Sequence, residues 1–313
     1  MRQKENKKIL LTGASGFLGG YIYNYFSEIS DITSLGRKGI NSEKHIFSDF
    51  KEEIPAFSSG YDLVIHAAGK AHVVPGNEVE KREFYEINLK GTENLLKSLS
   101  LSVHMPKSFI FISTVSVYGL ESGENIEENA PLLAKDPYGL SKIKAEEEVL
   151  KWGKENEVVI TILRLPLIIG YNAPGNLGSM IKAIKKGYYF NIGTGEAKRS
   201  MILAEDVPPI IEKLAPVGGI FNITDGSDLT YGEISSLIAQ KMGIKKVKSL
   251  PDPVAKVLAS TLSSMEKLTG KKMHFNKRVM EKMTSSLTFS NKKILETLEW
   301  RPRQVKENFD NIL

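Results

Sequence analysis

Short apolar runs alternate with longer amphipathic stretches along the first half of the chain. Apolar runs of four to six residues are typical of buried strands, and the predicted strands are 9–12, 63–66, 109–113 and 158–163. Stretches with apolar residues at helical spacing lie between them, and the predicted helices are 21–29, 84–99 and 138–155. This alternation predicts an α/β fold of the Rossmann type, a doubly wound parallel sheet with right-handed crossovers.

The pattern loosens after residue 167, where glycine, proline and asparagine become frequent. The predicted elements here are a loop at 170–178, a short helix at 181–186, turns at 187–195, a strand at 219–223, a helix at 231–243, and two helices within 251–283 joined near Gly270. We therefore predict a Rossmann-type domain at 1–167 and a smaller C-terminal lobe at 168–313. Within that lobe, 196–224 is expected to return to the first domain.

The composition is that of an ordinary globular protein. Of 313 residues, 41% are hydrophobic and 25% are charged, which is enough to bury a large core. The chain contains no cysteine, so disulfides, thiolate nucleophiles and cysteine-ligated metals are excluded, and the five scattered histidines predict no metal site. The first apolar run is too short for a signal peptide, and no run approaches the roughly eighteen residues of a membrane span, so we expect a cytoplasmic protein.

The net charge of +5 is distributed unevenly. Residues 241–313 carry 16 Lys and Arg against 7 Asp and Glu. Such a basic segment could bind nucleic acid, acidic lipid or an anionic small substrate, or it could be a solvated lysine-rich surface. Because no basic motif interleaved with aromatic residues is present, we expect no nucleic-acid partner.

A glycine-rich turn follows the first predicted strand. Gly13 would permit a tight turn, Gly16 would let backbone amides approach a pyrophosphate, and Gly19 would let the next helix pack closely. The helix N-terminus then favours the phosphate charge. The turn therefore predicts a nicotinamide-cofactor site, with an ordinary strand-to-helix turn as the alternative. The residues assigned to this loop are Gly13, Ser15, Gly16, Phe17, Leu18 and Gly19.

The residues after the second strand bear on which cofactor binds. An NAD site carries Asp or Glu there for the ribose hydroxyls, whereas this chain has Gly36 followed by Arg37 and Lys38. An arginine can bind a 2′-phosphate that an acidic residue would repel, so NADP(H) is favoured, with NAD(H) as the alternative. Asp49, followed by Phe50, could accept a hydrogen bond from the adenine amino group or could cap a turn.

Tyr138 and Lys142 lie four residues apart near the start of a predicted helix, so they share one helical face. A tyrosine with a pKa of about 10 is a poor base, and a neighbouring ammonium and the helix N-terminus would both lower that pKa. The preceding strand ends in the hydroxyls of Ser113 and Thr114, at the sheet edge where ligands bind. This arrangement predicts proton transfer to a substrate oxygen. The alternatives are a surface pair on a helix and hydroxyl caps at a strand end.

These motifs, in this order, resemble the extended short-chain dehydrogenase/reductases of the NAD-dependent epimerase/dehydratase family, nucleotide-sugar branch. The resemblance covers nearly the whole chain and is carried by the glycine turn and by 66–69, 88–92, 113–119, 138–142, 164–170, 199–202 and Asp206. It implies an NAD(P)-binding Rossmann domain and a C-terminal lobe that binds the substrate. The implied catalytic residues are Thr114, Tyr138 and Lys142, with Asn88 as a structural residue on the cofactor side and Arg199 as the ligand of the substrate diphosphate.

Further residues complete the predicted site. On the cofactor side they are Ala67, Ala68, Gly69, Ser113 and Leu165, together with Tyr138 and Lys142. On the substrate side they are Lys70, Thr114, Ser116, Tyr138, Asn176 and Arg278, beside Arg199. The helices near 88–100 and 138–156 could form a homodimer.

The segments 64–73, 221–230 and 298–302 are similar to bacterial 4-keto-sugar reductases of the UDP-N-acetylquinovosamine type, from surface-polysaccharide pathways. Val115 and Ser116 stand where 4,6-dehydratases have an Asp-Glu pair, so dehydration is not expected. Many 4-epimerases hold NAD tightly and carry an acidic residue at the position of Gly36, so the glycine of this chain argues against an epimerase. The expected function is therefore NADPH-dependent reduction at C4 of a UDP-linked 4-keto-6-deoxyhexose. A 4-epimerase and a non-catalytic cofactor-binding protein are the alternatives.

Overall fold

Parallel strands form the centre of the fold in the computed structural model, which describes residues 7–40, 44–71, 73–270, 273 and 275–309. The strands are β1 (Lys8–Thr12), β2 (Asp31–Gly36), β3 (His45–Phe47), β4 (Leu63–His66), β5 (Ser108–Thr114), β6 (Gly123–Ile126), β7 (Val159–Leu165), β8 (Leu167–Ile169), β9 (Phe190–Ile192), β10 (Lys198–Arg199), β11 (Met201–Leu203), β12 (Gly219–Asn222), β13 (Leu229–Thr230), β14 (Lys248–Leu250) and β15 (Leu287–Phe289). Within the described residues, the central sheet has the order β12-β7-β5-β4-β1-β2-β3, and all of its pairings are parallel. The predicted Rossmann-type α/β class is confirmed.

Helices connect these strands and cover the sheet. They are α1 (Phe17–Ile29), α2 (Glu78–Tyr85), α3 (Gly91–Ser100), α4 (Pro137–Asn156), α5 (Gly175–Lys185), α6 (Val207–Leu214), α7 (Tyr231–Lys241), α8 (Asp252–Thr269), α9 (Lys277–Thr284) and α10 (Lys292–Thr297). Asp136 caps α4 by accepting hydrogen bonds from the amides of Tyr138 and Gly139, as its position before Pro137 predicts. Among the described residues, none of these helices is long and apolar enough to cross a membrane.

Side chains of the central strands alternate between two hydrophobic layers. Ile9 and Leu11 of β1 are fully buried in one layer with residues of α1 and α6. Leu10, between them, is fully buried in the other layer with residues of α3 and α4. Successive strand residues point to opposite faces, so a strand buried on both faces must be apolar throughout. This burial is the physical reason for the unbroken apolar runs.

The helix predicted at 84–99 is confirmed, but the observed helical stretch begins earlier and contains an irregular segment. The structure has α2, beginning at Glu78, and then a π-helical segment, Glu86–Lys90, before α3. The side chain of Asn77 accepts a hydrogen bond from the amide of Glu80 and so sets the earlier start. The apolar spacing marked only the buried part of this region, because most of the α2 surface is polar and exposed.

The loop predicted at 170–178 is wrong in its second half, because α5 begins at Gly175. Leu177, Met180 and Ile184 lie at helical spacing and are buried together. Their packing outweighs the low helix propensity of the neighbouring glycines. The turns predicted at 187–195 also contain a short strand, β9. The predicted helix at 231–243 and the helix pair within 251–283 are confirmed as α7 and as α8 with α9.

Part of the C-terminal half lies in the central sheet. Strand β12 runs parallel to β7, with Gly219 opposite Thr161, and α6 before it is buried in the same layer as α1. Strands β10 and β11 also lie within 196–224, but they pair with strands outside the central sheet. The domain boundary at residue 167 and the return of 196–224 stay predictions.

Candidate active site

The main cleft opens where the chain changes direction across the sheet. Strands β1 and β4 are neighbours, but the chain leaves β1 toward β2 on one side and leaves β4 toward β5 on the other. Such a switch point opens a crevice at the carboxyl ends of the strands. The predicted site residues that line this cleft of about 460 Å³ are Gly16, Phe17, Leu18, Gly19, Ala67, Ala68, Gly69, Lys70, Ser113, Thr114, Ser116, Tyr138, Lys142, Leu165 and Asn176. The residues that line it without having been predicted are Ala71, Ile112, Val115, Pro166, Leu167, Ile168 and Pro174, and for 166–168 the place directly after β7 was the available signal.

The glycine turn is packed against the loop that follows β4. Gly13 has a φ of +75°, and a Cβ there would lie 2.6 Å from the amide nitrogen of Ala68. A Cβ on Gly19 would lie 1.9 Å from the carbonyl oxygen of Gly13, so neither position accepts a side chain. No side chain caps the start of α1 at Gly16, which leaves its first amides available to an anion. These features fit the pyrophosphate of a dinucleotide.

A chain of hydrogen bonds fixes the tautomer of His66 at the end of β4. Thr92 donates its hydroxyl to the Asn88 carbonyl at 2.7 Å, so it accepts from His66 Nε2, which lies 2.9 Å away. His66 Nδ1 therefore accepts from the Thr12 hydroxyl at 2.6 Å, and Thr12 accepts from the Ala68 amide at 3.2 Å. Burial, and then the charge of Lys142, lower the pKa of His66 to about 3. The ring is thus neutral, and it ties the ends of β1 and β4 together.

Asn88 joins the loop after β4 to helix α4. Its Oδ1 accepts from the Lys70 amide at 2.7 Å, and its Nδ2 donates to the Lys70 carbonyl at 3.1 Å and to the Ser141 hydroxyl at 2.9 Å. The Lys70 ammonium itself forms an ion pair with Glu83. Asn88 does not line the cleft, and its proposed role is to hold both walls of the cleft in register. The family motif at 88–92 was the signal that located it.

Tyr138 lies in the first turn of α4 and lines the cleft with Thr114, which ends β5. Burial raises the pKa of Tyr138 to about 12, while a hydrogen bond with Thr114 acts in the opposite direction. The expected lowering of this pKa by Lys142 is not found, and the hydrogen bond with Thr114 is what opposes the rise. At neutral pH the phenol is protonated and can act as a proton donor.

Lys142 lies one helical turn after Tyr138 and is 4% exposed. Its ammonium donates to the Ile112 carbonyl at 2.6 Å and lies 3.9 Å from the centroid of the Phe111 ring. Burial lowers the pKa of Lys142 to about 7, and the charge of Glu146 acts in the opposite direction. The lysine is thus poised between its charged and neutral forms near neutral pH.

Glu146 and Arg164 form a buried ion pair behind the cleft. They are 2% and 3% exposed, with 2.7 Å between Arg164 Nη2 and Glu146 Oε2. Glu146 also accepts a hydrogen bond from Ser113, so of the two hydroxyls at the end of β5 Thr114 is the one bonded to Tyr138. Glu146 is absent from the predicted site, although its place four residues after Lys142 was a readable signal.

The residues predicted to choose between NAD and NADP lie at the ends of β2 and β3. Arg37 is exposed, and its Nη1 lies 3.7 Å from Asp49 Oδ2. Asp49 also accepts a hydrogen bond from the Lys51 amide at 3.3 Å, as a turn cap would. Phe50 is 9% exposed and packs in the core, with its ring 6.2 Å from that of His66. The 460 Å³ cleft is not lined by any of these four residues, Arg37, Lys38, Asp49 and Phe50.

A second cavity of about 540 Å³ adjoins the first and shares Val115, Ser116, Tyr138 and Asn176 with it. Its lining includes two predicted substrate residues, Arg199 and Arg278. The other charged residues of its lining are Glu121, Lys135, Asp136 and Lys282. Cations therefore outnumber acids on its walls. Within the part of the chain that the structure describes, no cluster of three or more His, Asp or Glu is arranged to hold a metal.

Arg199 supports the wall of this second cavity. Its guanidinium donates to the carbonyls of Lys198 at 2.8 Å and Ser285 at 2.6 Å, and also to that of Lys282. The guanidinium carbon lies 5.2 Å from the centroid of the Tyr231 ring. These bonds hold the C-terminal end of α9, a structural role that the sequence did not reveal. A guanidinium has five N–H donors, so these bonds to carbonyls leave donors for a substrate anion. That contact stays a prediction.

Known proteins resemble this chain in sequence and in fold. The model of the NAD dependent epimerase/dehydratase family matches residues 9–223. The N-acetyl-alpha-D-glucosaminyl-diphospho-ditrans,octacis-undecaprenol 4-epimerase of Escherichia coli O157:H7 is 28% identical over 284 residues, which cover 85% of this chain and 82% of that protein. The GDP-6-deoxy-D-mannose reductase of Pseudomonas aeruginosa is 27% identical over 252 residues, which cover 74% and 79%. The structure of RMD from Pseudomonas aeruginosa complexed with NADPH has a TM-score of 0.73 and 21% identity, and the match covers 100% of this chain and 98% of that one.

Proposed function

Because the chain belongs to the NAD dependent epimerase/dehydratase family, we propose that it is an NAD(P)-dependent enzyme acting at C4 of a sugar carried on a diphosphate. The net reaction proposed is reduction of a 4-keto-6-deoxyhexose. The observation that carries this is the position of Tyr138: the phenol lies where the two cavities meet, with Thr114 and Lys142 on the same wall of the first. One cavity would hold the cofactor, and the other would hold the substrate.

The chain's own residues account for the proton half of the reaction. Tyr138 is protonated at neutral pH and can donate its proton to the oxygen that forms at C4. Thr114 is hydrogen-bonded to that phenol and can orient it. The ammonium form of Lys142, deeper in the cleft, favours the phenolate that Tyr138 becomes. A bound nicotinamide cofactor would supply the hydride to C4.

The glycine turn and the cationic second cavity support the choice of ligands. The turn closes on the Ala68 amide and leaves the first amides of α1 for a pyrophosphate. Arg37 supports NADP(H) as the preferred cofactor, since a guanidinium can bind a 2′-phosphate in two contacts. The two relatives act, by their names, on sugars joined to a diphosphate, and Arg199, Arg278 and Lys282 fit such a group here. A UDP-linked sugar of a surface-polysaccharide pathway is the substrate that we propose.

A 4-epimerase is the second candidate, because one of the relatives carries that activity in its name. An epimerase would remove hydride from C4 and return it to the other face, using the same Tyr138 as base and then as acid. A reductase consumes NADPH in proportion to product, whereas an epimerase leaves the added cofactor unchanged.

The deciding experiment measures NADPH oxidation by the pure protein with UDP-, dTDP- and GDP-linked 4-keto-6-deoxysugars. The matching arm incubates the protein with UDP-sugars, without added cofactor, and follows the C4 epimer by chromatography. Oxidation of one NADPH per sugar supports the reductase, and interconversion of C4 epimers supports the epimerase. Cofactor binding without turnover in either arm would contradict both and favour the non-catalytic alternative.

A further inference from the structure

Glu146 is a buried carboxylate that takes no part in the proposed proton transfer. It lies on α4 four residues after Lys142, hence on the same helical face, and is 2% exposed. Its oxygens accept hydrogen bonds from the hydroxyl of Ser113 on β5 and from the guanidinium of Arg164 on β7. These are two of the strands on which α4 packs, so the carboxylate is held in one position.

The partner of this carboxylate is a permanent cation, the guanidinium of Arg164. Burial acts to lower the pKa of Arg164, but the hydrogen bonds and charge of Glu146 outweigh burial and raise it. Arg164 also donates to the Tyr118 hydroxyl and the Glu128 carbonyl, both at 3.0 Å. A guanidinium held by this many acceptors keeps its orientation toward Glu146.

Lys142 is surrounded mostly by neutral groups. From β5, the Ile112 carbonyl and the Phe111 ring contact its ammonium. From β4, His66 faces it as a neutral ring, and on its own helix Tyr138 is a protonated phenol at neutral pH. Several packed elements carry further charged groups, but Glu146 on α4 is the charge that acts on the Lys142 titration.

We propose that Glu146 is a positioning residue for the catalytic lysine, supplying the counter-charge that favours the ammonium form of the buried Lys142 side chain. The inference rests on the proposed function, in which Lys142 is catalytic. Burial lowers the pKa of Lys142 to about 7 and Glu146 opposes this, so at neutral pH a modest change in local charge shifts the balance between ammonium and amine.

The test measures the titration of Lys142 directly, in the full chain and without substrate. Protein labelled with ¹³C at lysine Cε gives one NMR signal per lysine, and the signal lost in Lys142→Met identifies Lys142. In wild type the signal should titrate near neutral pH. In Glu146→Gln, which keeps the shape of the side chain but removes its charge, the midpoint should fall by about one pH unit or more, a change of about tenfold in the protonation equilibrium.

Matched variants separate charge from packing. Glu146→Asp keeps the carboxylate and should keep the wild-type midpoint. If Glu146→Gln fails to fold, the double variant Glu146→Gln/Arg164→Met leaves no unpaired charge and should still show a lowered midpoint. An unchanged midpoint in Glu146→Gln or in the double variant would overturn the proposal, as would a midpoint in Glu146→Asp that falls as far as in Glu146→Gln.

A catalytic readout connects the result to the reaction. The alkaline limb of the pH profile of kcat/KM should move to lower pH in Glu146→Gln and stay at its wild-type position in Glu146→Asp. The NMR titration needs no substrate, so it succeeds or fails independently of the proposed reaction. A shifted titration with no activity on any 4-keto sugar would contradict the proposed function and support the counter-charge role. An unshifted titration in an active reductase would support the function and contradict the counter-charge role.

Discussion

Replacing His66 with glutamine should weaken the sensitivity of the fold to acid. The ring is buried and neutral, and both of its nitrogens are committed: Nδ1 accepts from Thr12, and Nε2 donates to Thr92. Protonation would bury a charge and would make Nδ1 a donor facing a hydroxyl that now donates to it. The folded protein therefore resists protonation of this residue.

The size of the effect follows from two pKa values. Burial, together with the charge of Lys142, lowers the pKa of His66 to about 3 in the folded protein, against about 6.5 in an unfolded chain. Between these values only the unfolded state binds the proton, so stability is greatest above about pH 6.5 and decreases as the pH falls toward 3. One proton corresponds to about 1.4 kcal/mol per pH unit, so His66 should remove about 2 kcal/mol of unfolding free energy between about pH 7.5 and about pH 5.

Urea unfolding, followed by tryptophan fluorescence across this pH range, measures the effect. The glutamine variant should be less stable than wild type at neutral pH, because the hydrogen-bonded chain is altered, but it should lose about 2 kcal/mol less on acidification. The control is His104→Gln, which removes an exposed histidine and should keep the wild-type pH dependence. If the two variants show the same pH dependence, the buried neutral state of His66 does not control acid stability.

Three further changes test the site. Tyr138→Phe should reduce kcat by about 10²- to 10⁴-fold with NADPH affinity nearly unchanged, since it removes the proton donor and keeps the packed ring; activity within about threefold of wild type would refute the assignment. Arg37→Asp should shift the ratio of kcat/KM for NADPH and NADH toward NADH, because a carboxylate repels the 2′-phosphate, and an unchanged ratio would mean that Arg37 does not contact it. Arg199→Ala should raise the substrate KM by about tenfold and also lower the melting temperature, since the guanidinium holds three carbonyls around α9. Arg301→Ala, at an exposed residue that lines neither cavity, is its control, and an equal rise of KM in both variants would contradict the special role of Arg199.

Features that depend on neighbours in sequence could be predicted without a structure. Buried strands are apolar on both faces, so β1, β4 and β5 are visible as short apolar runs. The tight turn at Gly13 needs a residue free to adopt positive φ, and glycine marks it. Tyr138 and Lys142 share a face because helical spacing alone puts residues four apart together. Local geometry therefore determined the fold class, the glycine turn after β1 and the pair on α4.

Features that depend on contacts distant in sequence were decided only by the tertiary structure. The pKa of Tyr138 rises instead of falling, because the assembled fold buries the phenol. Glu146 has its partner Arg164 on β7, and His66 has its hydroxyls on β1 and α3, and no spacing rule reaches so far along the chain. Arg199 is bound by carbonyls at the end of α9 for the same reason. The sequence alone predicted which residues carry the chemistry, whereas their charge states depend on burial and on distant partners, which exist only once the chain has folded.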